Sequence, residues 1–475
     1  MPLSKILKLS PRDVATRLKD ALASDETLAL AFEEPEIAGP GFINLKFKPS
    51  YLSAYLSSVL HRFSTSGTCV SNLPLPPTPR RVLVDYSSPN IAKSMHVGHL
   101  RSTVIGDCIA NVLSHCGHVV LRVNHVGDWG TQFGMLVEQL LDAHSGSDGT
   151  TTTTTTCAAS SVNDATDSVE DLLLLYRAAK KRFDEDAPFR ERCRLRVVLL
   201  QSGDATSLGL WRRLCETSRR EYQAVYDRLG VTDLQERGES FYNPMLAGVV
   251  KDMERQGLAV ESEGATVVFL PGYSNKDGSA HTPLIIKKSD GGYNYATTDL
   301  AAVKHRTSVP ISSGGFLADR VLYVTDAGQA QHFSMVFAAA RLAGLAPPHA
   351  SLEHVPFGLV QGADGKKLKT RAGDSVKLTT LLDEAVRIAT EDHVAKKKEK
   401  EKEKGACAAA AADDDVQQLS EEETETCRIV GISAVKYADL AMNRESNYKF
   451  SFDKMLSLQG NTAPYMLSIL SKLNL

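Results

Sequence analysis

The stretch Arg81-Val82-Leu83-Val84-Asp85-Tyr86-Ser87-Ser88-Pro89-Asn90-Ile91-Ala92-Lys93-Ser94-Met95-His96-Val97-Gly98-His99-Leu100-Arg101-Ser102-Thr103 decides the fold. It opens as a short β-like run, Arg81 to Tyr86, and passes through Ser-Pro-Asn into a helical pattern. Leu100, Val104, Cys108 and Val112 recur at helical spacing, with Ile105 and Ile109 beside them, so one helix face is apolar. Gly117 is a helix stop, and Val119 to Val123 reads as a second strand. Strand, helix, strand implies a right-handed crossover and a parallel sheet. His96, Gly98 and His99, with Lys93 just upstream, therefore sit at a strand-to-helix turn. There the helix N-terminus offers N–H groups and the positive end of its dipole. Gly98 lets a nucleotide approach the backbone. Two imidazoles donate to phosphate oxygens as charge develops, and Lys93 adds a mobile positive charge. The arrangement reads as a site for ATP triphosphate chemistry. A bare His-x-Gly-His string is weak evidence, and its position at the turn is what gives it weight.

The 475 residues exceed one ordinary domain, and 43% hydrophobic residues is the usual soluble globular fraction. No apolar stretch of about 18 residues occurs, so no membrane span is expected. A net charge of -3 names no partner class. The eight cysteines form no Cys-x-x-Cys pair, which argues against zinc and thioredoxin-like chemistry. Their scatter suits free thiols in a reducing, cytoplasmic compartment. The N-terminal basic residues are interspersed with Asp13, Asp20, Asp25 and Glu26, unlike a transit peptide.

Residues 1 to about 63 read as a small α+β unit. Ser10 caps a helix from Pro11 to Leu22, and Gly39-Pro40-Gly41 turns into a strand over Ile43 to Phe47. Residues 144–167, with their threonine homopolymer, and residues 395–425, a Lys/Glu block followed by alanines and acids, read as disordered insertions by composition. The Lys/Glu part has a second reading, a solvated helix with i,i+4 pairs. Asp171 to Gly230 is helical and rich in Arg177, Lys180, Lys181, Arg182, Arg190, Arg192, Arg194 and Arg196. That basic run is either a nucleic-acid-facing surface or a solvated face. Thr266–Pro271, Thr282–Lys287 and Asp319–Thr325 read as strands.

Four further clusters carry chemistry. Asn124 to Gly134 lies at the end of the second strand, where ligands of parallel sheets bind. In Tyr293 to Leu300, Tyr295 and Asp299 share a helix face suited to a guanidinium or ammonium ligand, unless Asp299 merely caps the helix. Asp326 to Phe333 brings Gln329 and His332 to the same sheet edge. Gly362 to Asp374 is a lysine-rich loop able to close over a triphosphate.

With these residues in order, the chain resembles the arginyl-tRNA synthetases, which are class I aminoacyl-tRNA synthetases. Ser88-Pro89-Asn90 with His96-Val97-Gly98-His99-Leu100-Arg101-Ser102, and the clusters at 124–134, 293–300, 326–333 and 356–378, follow that family's order from about Ile6 to Leu475. The eukaryotic-type, cytosolic form looks closest. The resemblance implies an α/β fold: a Rossmann-like parallel sheet with helical insertions, a small α+β domain before it and the start of a helical bundle after it. The implied domains are a tRNA-elbow-binding-like domain and linker at 1–78 and a catalytic domain at 79–394. The insertion 395–425 and a truncated anticodon-binding bundle at 426–475 follow. Gly39-Pro40-Gly41-Phe42-Ile43-Asn44 matches the N-terminal domain's most typical phrase.

By the same resemblance, His96, Gly98, His99, His332, Lys366 and Lys369 hold ATP, which arrives with Mg²⁺, and no metal ligands are implied. Ser88, Pro89, Asn90 and His99 hold the amino-acid end of L-arginine, while Tyr295, Asp299 and Gln329 form its side-chain pocket. Lys366-Lys367-Leu368-Lys369-Thr370 stands where most class I enzymes carry Lys-Met-Ser-Lys, and Lys93 is expected to compensate. The implied activity is arginine–tRNA ligation with tRNA(Arg) as partner, by a monomer or a member of a larger synthetase assembly. Such enzymes generally need tRNA bound before they activate arginine. Two rivals are a non-catalytic binding protein derived from a synthetase and a small-molecule nucleotidyltransferase.

Overall fold

The computed structural model describes residues 2–66, 78–145, 168–273, 282–289, 291–362, 365, 376–403, 419–457 and 459–472. Lys366 and Lys369, and all or much of both expected insertions, lie outside them. The chain forms two compact units, Met1–Thr78 with His115–Gly117, and Pro79–Ser114 with His118–Leu475.

The first unit contains α1 (Pro2–Leu7), α2 (Pro11–Ala23), α3 (Glu26–Ala31), β1 (Glu36–Ala38), β2 (Phe42–Asn44) and α4 (Pro49–Ser66). Ser10 Oγ accepts from the Asp13 N–H at 3.1 Å and so caps α2. The strand expected over Ile43–Phe47 is shorter, because its antiparallel partner β1 is only three residues long. Phe47 instead bridges Phe32. Gly41 has φ 134°, and a Cβ there would lie 2.7 Å from the Pro11 carbonyl oxygen.

The second unit is built on β3 (Arg81–Asp85), α5 (Val97–His115), β4 (Val119–Asn124), α6 (Thr131–Ser145), α7 (Val169–Glu185), α8 (Ala187–Ser202), α9 (Ala205–Leu229), β5 (Leu234–Glu236) and α10 (Glu239–Arg255). It continues with β6 (Ala259–Ser262), β7 (Ala265–Val268), β8 (Leu284–Lys287), α11 (Tyr295–Ser308), β9 (Arg320–Asp326), α12 (Ala330–Leu342), β10 (Ser351–Phe357) and β11 (Val360–Gln361). The last elements are α13 (Leu378–Glu403), α14 (Glu421–Leu440), β12 (Tyr448–Lys449), α15 (Phe452–Met455) and α16 (Ala463–Lys472). One five-stranded sheet runs in the order β10-β9-β3-β4-β5, and every neighbouring pair is parallel. β6, β7 and β8 form a separate antiparallel sheet.

Successive residues of a strand face opposite sides, and the core divides accordingly. Val82, Val84, Leu322 and Val324 pack on one side with Leu100, Val104 and Ile105 of α5. Leu83, Val321 and Tyr323 pack on the other with Leu300 of α11 and Val336 of α12. Burial on both faces is why the strands read as nearly continuous apolar runs.

The basic helical region divides: Arg177, Lys180, Lys181 and Arg194 are exposed, whereas Arg182, Arg190, Arg192 and Arg196 are half-buried. Arg192 and Arg196 both bind Glu138 of α6, at 2.8 and 2.9 Å, and Arg182 and Arg192 both bind Asp142. Arg190 donates to backbone carbonyls of Phe183 and Asp184. Arg182, Arg190, Arg192 and Arg196 therefore hold α8 against α6 and α7, and the exposed four keep a solvated face. The segment expected to be unstructured from 395 begins as helix, since α13 runs to Glu403. α14 already starts at Glu421 with a capping box between Ser420 and Glu423.

One buried ion pair ties α5 to the C-terminal helices. Arg101 Nε lies 2.8 Å from Asp439 Oδ1, with side chains 1% and 0% exposed. Arg101 also donates to the Gly358 carbonyl at 2.7 Å and stacks on Phe357 and Tyr448. Burial pushes the Asp439 carboxyl up although Arg101 pulls it down. Arg101→Met leaves that carboxylate buried and unpaired, with an expected loss of about 3–5 kcal/mol. Urea denaturation measures it, and adding Asp439→Leu is expected to recover most of the loss.

Candidate active site

Strand order reverses between β3 and β9: one connection runs from β3 to β4, the other from β9 to β10. Ligands of parallel sheets bind at the carboxyl end of such a switch point. A cleft of about 350 Å³ opens there. Its walls are Ser87, Ser88 and Asn90 after β3, His96 to His99 at the start of α5, Asp326 and Gln329 after β9, and Phe357 to Val360 after β10.

The loop from β3 to α5 is strained. Ser87, Ser88 and Ala92 have φ of 74°, 48° and 60°, a region that residues with a Cβ rarely adopt. Such backbone survives only where its surroundings hold it. The Ser88 N–H donates to Asn124 Oδ1 at 2.9 Å, and Asn90 bridges Gly127, where a Cβ would fall 2.3 Å from Asn90 Oδ1. The second cluster of the sequence thus supports the first. Lys93 is exposed and its ammonium lies 5.9 Å from the centre of the Tyr176 ring, outside the cleft lining.

His96 and His99 cap α5 reciprocally. The Gly98 N–H donates to His96 Nδ1 at 3.1 Å, and the His96 N–H donates to His99 Nδ1 at 3.1 Å. This is the logic of a capping box, built from two imidazoles whose centres are 4.1 Å apart. A ring nitrogen that accepts carries no hydrogen, so Nε2 is the donor of each ring. A Cβ on residue 98 would lie 2.9 Å from His96 Cε1, so the capping ring, and not only a nucleotide, occupies the space beside Gly98.

The cationic half of the site is set by carboxylates. Asp299 sits within α11, whose cap is Asn294, so Asp299 is not the helix cap. Its Oδ2 is 2.6 Å from His332 Nε2, and the His332 ring lies 4.8 Å from the exposed Tyr295 ring. His332, expected at ATP, touches Asp299 and Tyr295 instead of lining the cleft. Gln329 does line the cleft and donates to Asp326 Oδ2 at 3.1 Å. Pro89, Tyr295 and Asp299 stand outside its lining.

Glu239, the first residue of α10, was missed from sequence. Burial first, then the charges of Asp128 and Asp299, push its carboxyl up to about 8. Asp128 fixes its place by accepting from the Ser240 N–H at 2.8 Å and the Ser240 hydroxyl at 2.5 Å. The signal was available in principle, because Glu239 follows β5 at the carboxyl edge, but β5 has only three residues. Arg306 was also missed. It is fully buried, pairs with Asp85 at 2.7 Å and faces His125 Nδ1 at 3.3 Å. Arginine has no acceptor, so His125 Nδ1 must accept and the ring is neutral. Burial, foremost, holds the His125 pKa low. A carboxyl held in the field of Asp128 and Asp299 suits a cationic group, and the imidazole-capped N-terminus of α5 suits a phosphate.

Residues 74–452 match the family described as tRNA synthetases class I (R), catalytic domain, and residues 1–47 match the arginyl tRNA synthetase N terminal domain. A relative from Synechococcus elongatus named arginine–tRNA ligase is 52% identical over 474 residues, covering 98% of this chain and 72% of its own. Its namesake from Nostoc punctiforme is 50% identical, covering 100% and 74%. Both are cyanobacterial, so they lend no support to a eukaryotic-type form. The crystal structure of arginyl-tRNA synthetase from Plasmodium falciparum superposes with a TM-score of 0.68 at 29% identity, covering 99% of this chain and 72% of its own. The Thermus thermophilus arginyl-tRNA synthetase shares the fold, with a TM-score of 0.64 at 21% identity.

A guanidinium ligand favours the ionised form of Glu239. Arginine affinity is therefore expected to rise as pH increases through about 8 and to level off above it. Calorimetric titration between roughly pH 6.5 and 9 checks this, and Glu239→Gln should flatten the profile.

Proposed function

The chain belongs to the arginyl-tRNA synthetases, and on that premise we infer that it ligates L-arginine to tRNA(Arg) at the expense of ATP. An arginine carboxylate oxygen attacks the α-phosphorus of ATP, the bond to the β-phosphate oxygen breaks, and arginyl-adenylate and pyrophosphate form. A hydroxyl of the terminal tRNA ribose then attacks the acyl carbon, loses its proton and releases AMP. No side-chain nucleophile is needed, and catalysis is positioning and electrostatic stabilisation.

The observation that carries this reading is the carboxylate of Asp299, 2.6 Å from His332 and beside the Tyr295 ring, with Glu239 buried within the field of Asp128 and Asp299, a set of anions that suits a cation. Arginine supplies that cation as a planar fork. Tyr295 covers it, and Gln329 adds a polar contact that lysine does not satisfy equally. Ser88, Pro89, Asn90 and His99 take the α-amino and carboxylate end. His96, Gly98 and His99 take the triphosphate, with Lys93, and with Lys366 and Lys369 of the loop. His332 serves Asp299 before it serves ATP. Mg²⁺ is taken to arrive as part of the substrate MgATP. A cytoplasmic location is in keeping with the bacterial relatives. No described helix is long and apolar enough to cross a membrane.

Pyrophosphate exchange in the presence of tRNA(Arg) tests the assignment. It is expected to depend on arginine and not on lysine, and Asp299→Asn should raise KM for arginine about 100-fold while KM for ATP stays put. Binding of arginine, ATP and tRNA without exchange would mark a binding-only descendant of a synthetase.

A further inference from the structure

The strained loop after β3 needs an external support, and α9 supplies it with three hydroxyls. Ser218, Tyr222 and Tyr226 are spaced by four residues and so lie in one stripe of the helix. All three side chains are buried, at 0%, 2% and 5% exposure. Each bonds the segment 87–93. Ser218 Oγ accepts from the Ala92 N–H at 3.0 Å. Tyr222 Oη donates towards the carbonyls of Asn90, at 2.5 Å, and Lys93, at 3.1 Å. Tyr226 Oη lies 2.8 Å from Ser87 Oγ and accepts from Asn124 Nδ2 at 3.0 Å.

The bonds fall where the backbone is strained. Ser87 and Ala92 both have positive φ and both are contacted by the stripe. Asn124, held by Tyr226, takes the N–H of Ser88, the third strained residue. A loop in these conformations cannot satisfy its own peptide groups as a regular element does, so its shape is set by what bonds it. Burial raises both phenol pKa values, that of Tyr226 to about 12, so the tyrosines remain donors.

We propose that Ser218, Tyr222 and Tyr226 are positioning residues: their stripe on α9 holds residues 87–93 in the backbone that presents Ser88, Asn90 and Lys93 to the substrates. The proposal deepens the arginine-activating reading and rests on it. None of the three hydroxyls lines the cleft, so they act through the loop alone.

Tyr222→Phe, Tyr226→Phe and Ser218→Ala remove single hydroxyls and keep the packing. Each is expected to lower kcat/KM for arginine about tenfold in tRNA-dependent exchange. Amide hydrogen exchange in peptides spanning 85–96 should quicken in the same variants. Ser308→Ala is the control. It removes a hydroxyl bond of similar length, 2.8 Å to the Leu345 carbonyl, from the far end of α11, and should change neither readout. Folded variants with unchanged kinetics and unchanged exchange over 85–96 overturn the proposal, as does an equal effect of Ser308→Ala. Should Tyr222→Phe fail to fold, the other two variants decide. If the unmodified chain activates no arginine, the functional reading falls, and hydrogen exchange still judges the support of the loop.

Discussion

The buried pair of Asp85 and Arg306 is the constraint from which the site is built. Asp85 ends the central strand β3, and Arg306 lies on α11 two turns beyond Asp299. A guanidinium without water must spend every donor on protein, and this one meets Asp85, the Tyr242 hydroxyl and His125, with Tyr242 and Tyr323 against its plane. Sliding α11 along the sheet by a residue would strand that charge. The register of α11 on β3 is thereby set, and with it the place of Asp299 relative to the loop after β3. Asp85 also accepts from Ser88 Oγ at 3.3 Å, so one carboxylate touches both the arginine helix and the strained loop.

Two opposite electrostatic demands meet around that anchor. The N-terminus of α5 attracts anions, and the two histidines that cap it place their ring protons on Nε2. Asp299 and Glu239 attract a cation. Part of the second demand is met from inside, because His332 bonds Asp299 and burial holds the Glu239 carboxyl up to about 8.

The parts of this arrangement differ in how they could be foreseen. β3, α5 and β4 were legible because alternation, helical spacing and a stop glycine are local properties, as were the helices over 169–229. Tyr295 and Asp299 were legible as a pair for the same reason. The reach of α13 to Glu403 was open in sequence, since a Lys/Glu block is compatible with helix or coil and neighbours decide. In the basic run at 177–196, sequence did not distinguish Arg192 and Arg196, which Glu138 takes up from α6, from the residues left on the surface. Likewise, His125 and Asp128 stand in a cluster that invites a catalytic role. Their partners show one holding Arg306 and the other capping α10.

By itself the sequence determined the parallel α/β frame, the imidazole-flanked turn at its switch point and the residue types for a guanidinium, because each rests on periodicity or on chemistry within a few neighbouring residues. Tertiary structure alone decided that Glu239 is buried within the field of Asp128 and Asp299, that Arg306 locks α11 to β3, that Arg101 meets Asp439 and that α9 bonds the loop of Ser88 and Asn90. Those are meetings of residues tens to hundreds of positions apart, brought about by burial, and a buried charge or hydroxyl has a definite partner only once the chain has closed around it.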